Sequence, residues 1–388
     1  MEELKHLHML SEQIGPRGAA TSSEELAAHY IKEEMKKNKI VTEVQSFSTT
    51  KSHSWIYAFI CFIFLMAFAL FSTSHLLAFT ICFLGLFFFK KELEATGELN
   101  KIFARRKSQN VLGKVPASKY PVKKVVFTSH YDSSRSGLSF NPEVVKNFRT
   151  AFLVTYYSMA IMCILYGSAV IFTILNFPIV SILAWLLSLP PALVLLVSFI
   201  VILYQEFFGE DTPGANDNAS GVSVLMELSK EIKDNPPDFV ETWFLFTGAK
   251  EAGTLGIVNF LEQYKPDPQN TFIINLDSIG IGNVKYILEE GMLKKYSSND
   301  KLVKWATLAI QEKPSLKVKG DYYFDFTTDA TAALARNYKA ISIMAMDEEG
   351  FIPNWHWPTD TINRIERGNL ILSRTLAKRM LYKINDTV

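Results

Sequence analysis

Two stretches of this chain, Trp55 to Phe89 and Thr150 to Tyr204, carry almost no charged side chains, and they constrain everything around them. A bilayer core about 30 Å thick takes roughly 20 apolar residues at about 1.5 Å each, so each stretch is too long for one helical crossing and suits two. Neither offers the polar face that a core helix of a soluble domain turns to water. We read two hairpins. The first turns at Ser72, Thr73, Ser74 and His75, and its second arm, Leu76 to Phe89, is short for a span. The second turns at Asn176, Phe177 and Pro178, and Pro190 and Pro191 are expected to kink or interrupt its return arm.

Neither hairpin tip carries Lys or Arg, whereas the bases carry Lys51, Lys90, Lys91, Lys101, Arg105, Arg106, Lys107, Lys146 and Arg149. The positive-inside rule then predicts a multi-pass protein of the cell membrane whose soluble parts are cytoplasmic. The stretch Met1 to Lys51 is charged and shows no secretory signal. Cys61, Cys82 and Cys163 all lie in the apolar stretches, which argues against a disulfide framework or a thiolate zinc site. With a net charge of +1 and no basic patch interleaved with aromatics, a nucleic-acid partner is not expected. The sequence fixes no oligomeric state.

Elsewhere strand and helix patterns alternate. Glu24 to Lys37 is expected to form an amphipathic helix capped by Thr21, Ser22 or Ser23, with Leu26, Ala27, Tyr30, Ile31 and Met35 on its buried side. Val41 to Phe47 and Asn110 to Val115 read as strands that pair around the first hairpin. Lys124 to Thr128, Thr242 to Thr247, Thr271 to Leu276 and Ala340 to Met346 read as further strands. Val222 to Lys230, Leu255 to Gln263, Leu302 to Gln311 and Asn369 to Ile384 read as helices. This order predicts an α/β fold with a mixed, largely parallel sheet and helices on both faces, plus four transmembrane helices as two hairpins. Residues 1–54, 90–149 and 205–388 would together make one discontinuous domain, with 55–89 and 150–204 as the inserted hairpins.

In such a sheet, ligands bind at the carboxyl ends of the strands. Five metal-binding side chains fall at strand ends or in the loops beyond: His130, Asp217, Glu251, Asp277 and His356. Asp217 lies within Gly214-Ala-Asn-Asp-Asn-Ala-Ser-Gly221, where small residues let the backbone turn sharply at the entry of a helix. Imidazole and carboxylate without thiolate is the chemistry of a hydrolytic zinc site, and five ligands with one shared carboxylate suffice for two metals. Asp132 could accept the second N–H of the His130 ring. Asp360 could stand behind the ligands or merely cap the next turn.

The segments His130-Tyr-Asp-Ser, Gly214 to Gly221, Lys250-Glu-Ala-Gly-Thr-Leu-Gly, Asn275-Leu-Asp-Ser-Ile-Gly, Thr328-Asp and His356-Trp-Pro-Thr-Asp-Thr occur in the order seen in metallopeptidase family 28. That family includes zinc aminopeptidases and related glutaminyl cyclases. Ile14-Gly-Pro-Arg-Gly also looks like its N-terminal signature, and the similarity runs from about Ile14 to Arg364 outside the hairpins. The resemblance implies that Asp217 bridges two zinc ions, with His130 and Asp277 on one and Glu251 and His356 on the other. Asp132 and Asp329 match carboxylates that stand behind the ligands.

One position departs from the family. There the ligand glutamate follows another glutamate, the general base, and here that place holds Lys250. Either Lys250 is pressed to its neutral form and serves as base, or another carboxylate such as Glu210, Asp211, Asp347, Glu348 or Glu349 does, or hydrolysis is largely lost. Lys250 and Glu251 are accordingly the candidate catalytic pair. The expected function is a membrane-bound zinc exopeptidase, an aminopeptidase foremost, acting on hydrophobic or membrane-associated peptides near the cytoplasmic surface of the lipid bilayer. The alternatives are a weak or inactive peptide-binding scaffold and a glutaminyl-cyclase-like acyltransferase.

Overall fold

The computed structural model describes residues 2–93, 98–103 and 105–387. By their internal contacts these divide into two units, one of residues 1–52, 104–136 and 210–388 and one of residues 53–103 and 137–209.

The first unit is built on a nine-stranded sheet. Its strands in chain order are β1 (Val41–Thr49), β2 (Arg106–Val115), β3 (Lys123–His130), β4 (Val240–Thr247), β5 (Thr271–Leu276), β6 (Asn283–Glu290), β7 (Tyr296–Ser297), β8 (Lys319–Tyr323) and β9 (Lys339–Met346). They lie in the order β1-β2-β4-β3-β5-β9-β6-β7, with β8 beside β6. The pairings of β4, β3, β5 and β9 are parallel. On one side β2 joins β4 and β1 joins β2 antiparallel, and on the other β6 pairs antiparallel with both β9 and β7. The expected "largely parallel" sheet is therefore parallel only at its centre and beside β6, where β8 runs parallel. The reason is physical: the apolar runs that mark buried parallel strands occur at β3, β4, β5 and β9, whereas the half-exposed β6 and β8 lack such runs and were not foreseen.

Helices cover both faces. The chain supplies α1 (Glu2–His8), α2 (Ser22–Lys37), α8 (Gly221–Asp234), α9 (Leu255–Tyr264), α10 (Asp300–Gln311), α11 (Asp329–Leu334) and α12 (Arg367–Asn385) to this unit. Val125 and Phe127 of β3, Phe244 and Phe246 of β4 and Ile341 and Ile343 of β9 enter one core with Ile31 of α2, Leu225 of α8, Trp305 of α10 and Leu376 of α12. Trp243, the residue before Phe244 on β4, turns to the other face and packs edge-on against Phe260 of α9. Each fully buried side chain of this kind stabilises the fold by about 1.5–3 kcal/mol relative to exposure. Thr21 caps α2 through the Glu24 N–H at 3.2 Å. Leu26, expected on the buried side of α2, is instead exposed.

The second unit holds α3 (Ser54–Leu70), α4 (His75–Leu93), α5 (Glu98–Phe103), α6 (Phe148–Ile174) and α7 (Pro178–Phe208). The turns fall where the sequence places them. Pro190 and Pro191 do not break α7, which continues as one helix through both. The apolar helical stretches Val145–Ile174 and Pro178–Phe208, of 30 and 31 residues, are long enough to cross a bilayer. At 17 residues, α3 spans only about 25 Å, and α4 ends in Lys90, Lys91 and Glu92. Among the described residues two helices, rather than the expected four, meet the length on their own.

Candidate metal centre

The parallel centre of the sheet delivers its polar residues to one edge. His130 is the last residue of β3, Asp277 directly follows β5, Glu251 lies in the loop after β4, and His356 in the loop after β9. Asp217 comes from the irregular turn Ala215–Ser220 that leads into α8, where Asp217 and Asn218 leave helical geometry. The turn is held by its own amides. Asn218 donates to Ser129 Oγ and Leu276 O, both at 2.9 Å, and its Oδ1 accepts the N–H groups of Gly221 and Ser278 at 3.1 Å. Asn216 Oδ1 accepts from Gly280 N–H at 2.7 Å. A Cβ on Gly221 would lie 2.5 Å from Asn218 Oδ1, Leu276 O and Ser129 Oγ, so this close approach of loop and strand ends requires glycine. Gly214 opens the turn at φ +59°.

Two triads result. His130, Asp217 and Asp277 form one, and Asp217, Glu251 and His356 the other, each with ligand atoms within 4.8 Å of one another. His130 Nε2 lies 3.1 Å from Asp217 Oδ1 and 3.6 Å from Asp277 Oδ1. His356 Nε2 lies 3.2 Å from Asp217 Oδ2 and 3.3 Å from Glu251 Oε2. Although His130 Nε2 is that close to Asp217 Oδ1, neither it nor either Asp217 oxygen makes a well-aligned hydrogen bond. Buried lone pairs that converge without bonding one another suit a shared cation, and imidazole with carboxylate suits zinc. The residues therefore fit the metal that the sequence implies.

The surrounding residues orient these groups. His130 Nδ1 is 3.0 Å from the backbone oxygen of Asp132 and 3.6 Å from its carboxylate, so the carbonyl, not the expected carboxylate, receives the ring N–H. The Asp132 carboxylate instead accepts the N–H groups of Lys250 at 3.1 Å and Glu251 at 2.9 Å. Asp360 accepts the N–H groups of Asn216 at 2.7 Å and Asp217 at 3.0 Å, which places it on the Asp217 turn. Burial, foremost, raises its carboxyl to about 7. Asp329 Oδ2 accepts the hydroxyls of Thr128 and Thr247, both at 2.7 Å, tying β3 to β4.

Lys250 is buried. Its Nζ donates to Glu251 Oε1 at 2.8 Å and lies 3.8 Å from Asp217 Oδ1. Burial pushes its ammonium toward neutrality, but Asp217, Glu251 and Asp277 prevail and hold it well above its ordinary value. Burial likewise opposes the charge on Glu251, yet Lys250 and His356 bring its carboxyl down to about 2. Of the other carboxylates considered, Asp347 turns Oδ1 onto the N–H groups of Glu349 and Phe351 in its own loop, and Glu210 and Glu348 are exposed.

Two buried residues escaped the sequence reading. Arg17 donates to the carbonyls of Leu10, Gly15, Tyr131, Pro213 and Gly214, which clamps the Asp217 turn to the β3 end. Only its place in Ile14-Gly-Pro-Arg-Gly hinted at it. Glu290 accepts the hydroxyls of Thr328, Thr331 and Ser342, and burial raises its carboxyl.

The sequence pattern of Peptidase family M28 matches residues 201–379, a stretch that includes Asp217, Glu251, Asp277 and His356 and leaves out His130. The "Probable lipoprotein aminopeptidase LpqL" of Mycobacterium tuberculosis is 25% identical over 181 residues, 40% of this chain and 36% of its own length. "Aminopeptidase YwaD" of Bacillus subtilis is 38% identical over 71 residues, 18% of this chain and 15% of its own length. The chain thus spans little more than a third of those curated relatives at most. BSAP, a zinc aminopeptidase from Bacillus subtilis, matches with a TM-score of 0.58 at 15% identity, over 98% of this chain and 94% of that one. A glutaminyl cyclase of Bacteroides thetaiotaomicron matches with a TM-score of 0.56 at 14% identity, over 98% and 96%. The chain therefore has the mixed α/β fold of the zinc aminopeptidases, and its residues 201–379 carry the pattern of Peptidase family M28.

Proposed function

We propose that this chain is a zinc-dependent exopeptidase, an aminopeptidase, that cleaves peptides at the site formed by His130, Asp217, Glu251, Asp277 and His356. The convergence of these five side chains on the carboxyl edge of the parallel strands carries the reading. Bound zinc would supply Lewis acidity toward a scissile carbonyl and a water acidic enough to act as nucleophile near neutral pH. The chain's own residues do the rest. Asp132 and Asp360 hold the Glu251 loop and the Asp217 turn by their backbones, so the ligands need no rearrangement. Lys250, as an ammonium, is a hydrogen-bond donor suited to negative charge developing on substrate oxygen. Phe326 and Trp355 flank the His356 ring, with centroids at 5.8 and 4.3 Å, and give the site an apolar wall.

A second reading has one observation in its favour. The Lys250 ammonium occupies the place where a general base would stand, and loss of such a base costs about 10²- to 10⁴-fold in rate. On that reading the protein binds peptides and hydrolyses them slowly or not at all. The likeness to a glutaminyl cyclase concerns fold alone and adds no third reading.

We place the protein in the cell membrane as a multi-pass chain with the first unit cytoplasmic. The support is the length of the two apolar stretches and the side chains they present: Ile164, Ile171, Leu187 and Leu193 are exposed, whereas Ser158, Ala169, Ala184 and Ser188 are buried. Large apolar groups outside and small ones between helices suit packing in lipid. The second apolar stretch also enters the chain between His130 and Asp217, which favours substrates that are hydrophobic or membrane-associated. Residue release from one peptide should be compared in three forms presented to the full chain in liposomes: free amino terminus, acetylated amino terminus, and free amino terminus with a lipid anchor at the other end. The reading expects no release from the acetylated form and faster release from the anchored one. Equal release from acetylated and free peptides would refute an aminopeptidase, and equal rates with and without the anchor would refute the membrane preference.

A further inference from the structure

The loop that carries Glu251 is cradled by side chains from elsewhere in the chain. The successive backbone N–H groups of Gly248, Ala249, Lys250 and Glu251 find their acceptors on three buried residues, Asn110, Glu24 and Asp132. Gly248 N–H donates to Asn110 Oδ1 of β2 at 3.2 Å and Ala249 N–H to Glu24 Oε1 of α2 at 2.9 Å. The N–H groups of Lys250 and Glu251 go to the two oxygens of Asp132, at 3.1 and 2.9 Å. Ala249 stands at φ +51°, in the left-handed region that alanine rarely adopts. Such a conformation costs energy and persists only where its surroundings hold it. It also turns consecutive N–H groups to one side, a concave arrangement suited to anions, and here the protein's own carboxyls fill it.

Glu24 ties this loop to two further places. Its Oε2 accepts Ala20 N–H and its Oε1 accepts the Ser108 hydroxyl, both at 2.8 Å, so Ala249 is fixed at once to the start of α2 and to β2. Each carboxyl oxygen thus receives a backbone N–H. A primary amide cannot do the same, because one of its two ends is itself a donor. The bonds of Glu24 go to Ala20, Ser108 and Ala249 and to no metal-binding side chain. We infer that Glu24 is a positioning residue for the metal centre. By holding Ala249 in its left-handed conformation, two residues before Glu251, it sets the direction of the Glu251 carboxylate, whose Oε2 faces His356 Nε2 at 3.3 Å. This rests on the zinc reading above and adds to it a residue outside the stretch 201–379 that carries the family pattern.

The test is zinc affinity, measured by competition with a chelator on the folded, detergent-purified full chain, with Glu24→Gln and Glu24→Asp beside wild type. Each variant should bind zinc about 10-fold more weakly. Gln leaves one N–H facing an amide N–H, and Asp keeps the charge but falls one methylene short of Ala249. A double-mutant cycle separates positioning from a general loosening of the fold. In an Asp277→Ala background Glu24→Gln should still cost about 10-fold, and in a Glu251→Ala background it should cost nothing, because the side chain it aims is gone. Wild-type affinity in folded Glu24→Gln would overturn the inference and leave the metal centre standing, and so would an equal loss in the two backgrounds. Wild-type affinity in Glu24→Asp would show that Glu24 supplies charge rather than position, which overturns it too. No zinc binding by wild type would overturn the metal reading and this inference with it. Should Glu24→Gln fail to fold or Glu251→Ala bind no zinc, Glu24→Asp alone and in the Asp277→Ala background still decides.

Discussion

The carboxylate of Asp132 accepts the backbone N–H of Glu251 at 2.9 Å, so the residue two places beyond His130 holds the loop that carries a ligand of the other triad. With its second oxygen on Lys250 N–H at 3.1 Å, one buried side chain couples the ends of β3 and β4.

Asp132→Ala leaves two buried N–H groups without acceptors, at about 1–3 kcal/mol each. The variant should lose about 2–5 kcal/mol of stability and, by loosening Glu251, about 10- to 100-fold in zinc affinity. Urea unfolding and competitive zinc titration measure the two effects. A zinc affinity equal to wild type in a folded Asp132→Ala protein would contradict the coupling.

Arg17 is fully buried and satisfies five backbone carbonyls, which no other side chain can replace. Arg17→Met should destabilise by about 3–5 kcal/mol, and Arg17→Lys by nearly as much, because an ammonium lacks the planar fork. A thermal melt of Arg17→Lys within a degree of wild type would show that charge rather than geometry matters there.

Glu24 gives the fold a pH dependence. Burial, and after it the Asp132 carboxylate, raise its carboxyl to about 8 from an ordinary 4.5. The folded state thus binds this proton more tightly than the unfolded one. The contribution is fully present below pH 4.5 and is lost as pH rises through about 8. Relative to Glu24→Gln, wild type should lose up to about 5 kcal/mol across that window. Parallel stability curves for the two proteins would contradict it.

Lys250→Glu places a carboxylate where proton transfer needs one. It should raise turnover by about 10²-fold or more over wild type if the rest of the site is intact. A Lys250→Glu protein that binds zinc and is slower than wild type would contradict this and show that losing the ammonium as donor outweighs gaining a base.

Much of this was legible because strand ends write themselves into sequence. Apolar runs stopping at Thr128, Thr247, Leu276 and Met346 announced parallel strands, and the polar residues just beyond them converge as that geometry requires. The outer strands were hidden, since β6 and β8 carry mixed, half-exposed residues that no alternation marks. Arg17 and Glu290 were hidden for another reason: each serves backbone or hydroxyl groups distant in sequence, and no local spacing encodes such a partner. Asp132 is legible as a carboxylate that could accept from the His130 ring beside it, but not as the acceptor of the Lys250 and Glu251 N–H groups. Nothing in the sequence near His130 reveals that the Lys250–Glu251 backbone would come within reach.

The most direct measurement starts from the full chain stripped of metal and follows release of amino-terminal residues from an unblocked peptide as zinc is added, beside Glu251→Ala. The account predicts release that rises with zinc and saturates in wild type and is absent from Glu251→Ala at every concentration. Release that is independent of zinc, or that persists undiminished in Glu251→Ala, would contradict it.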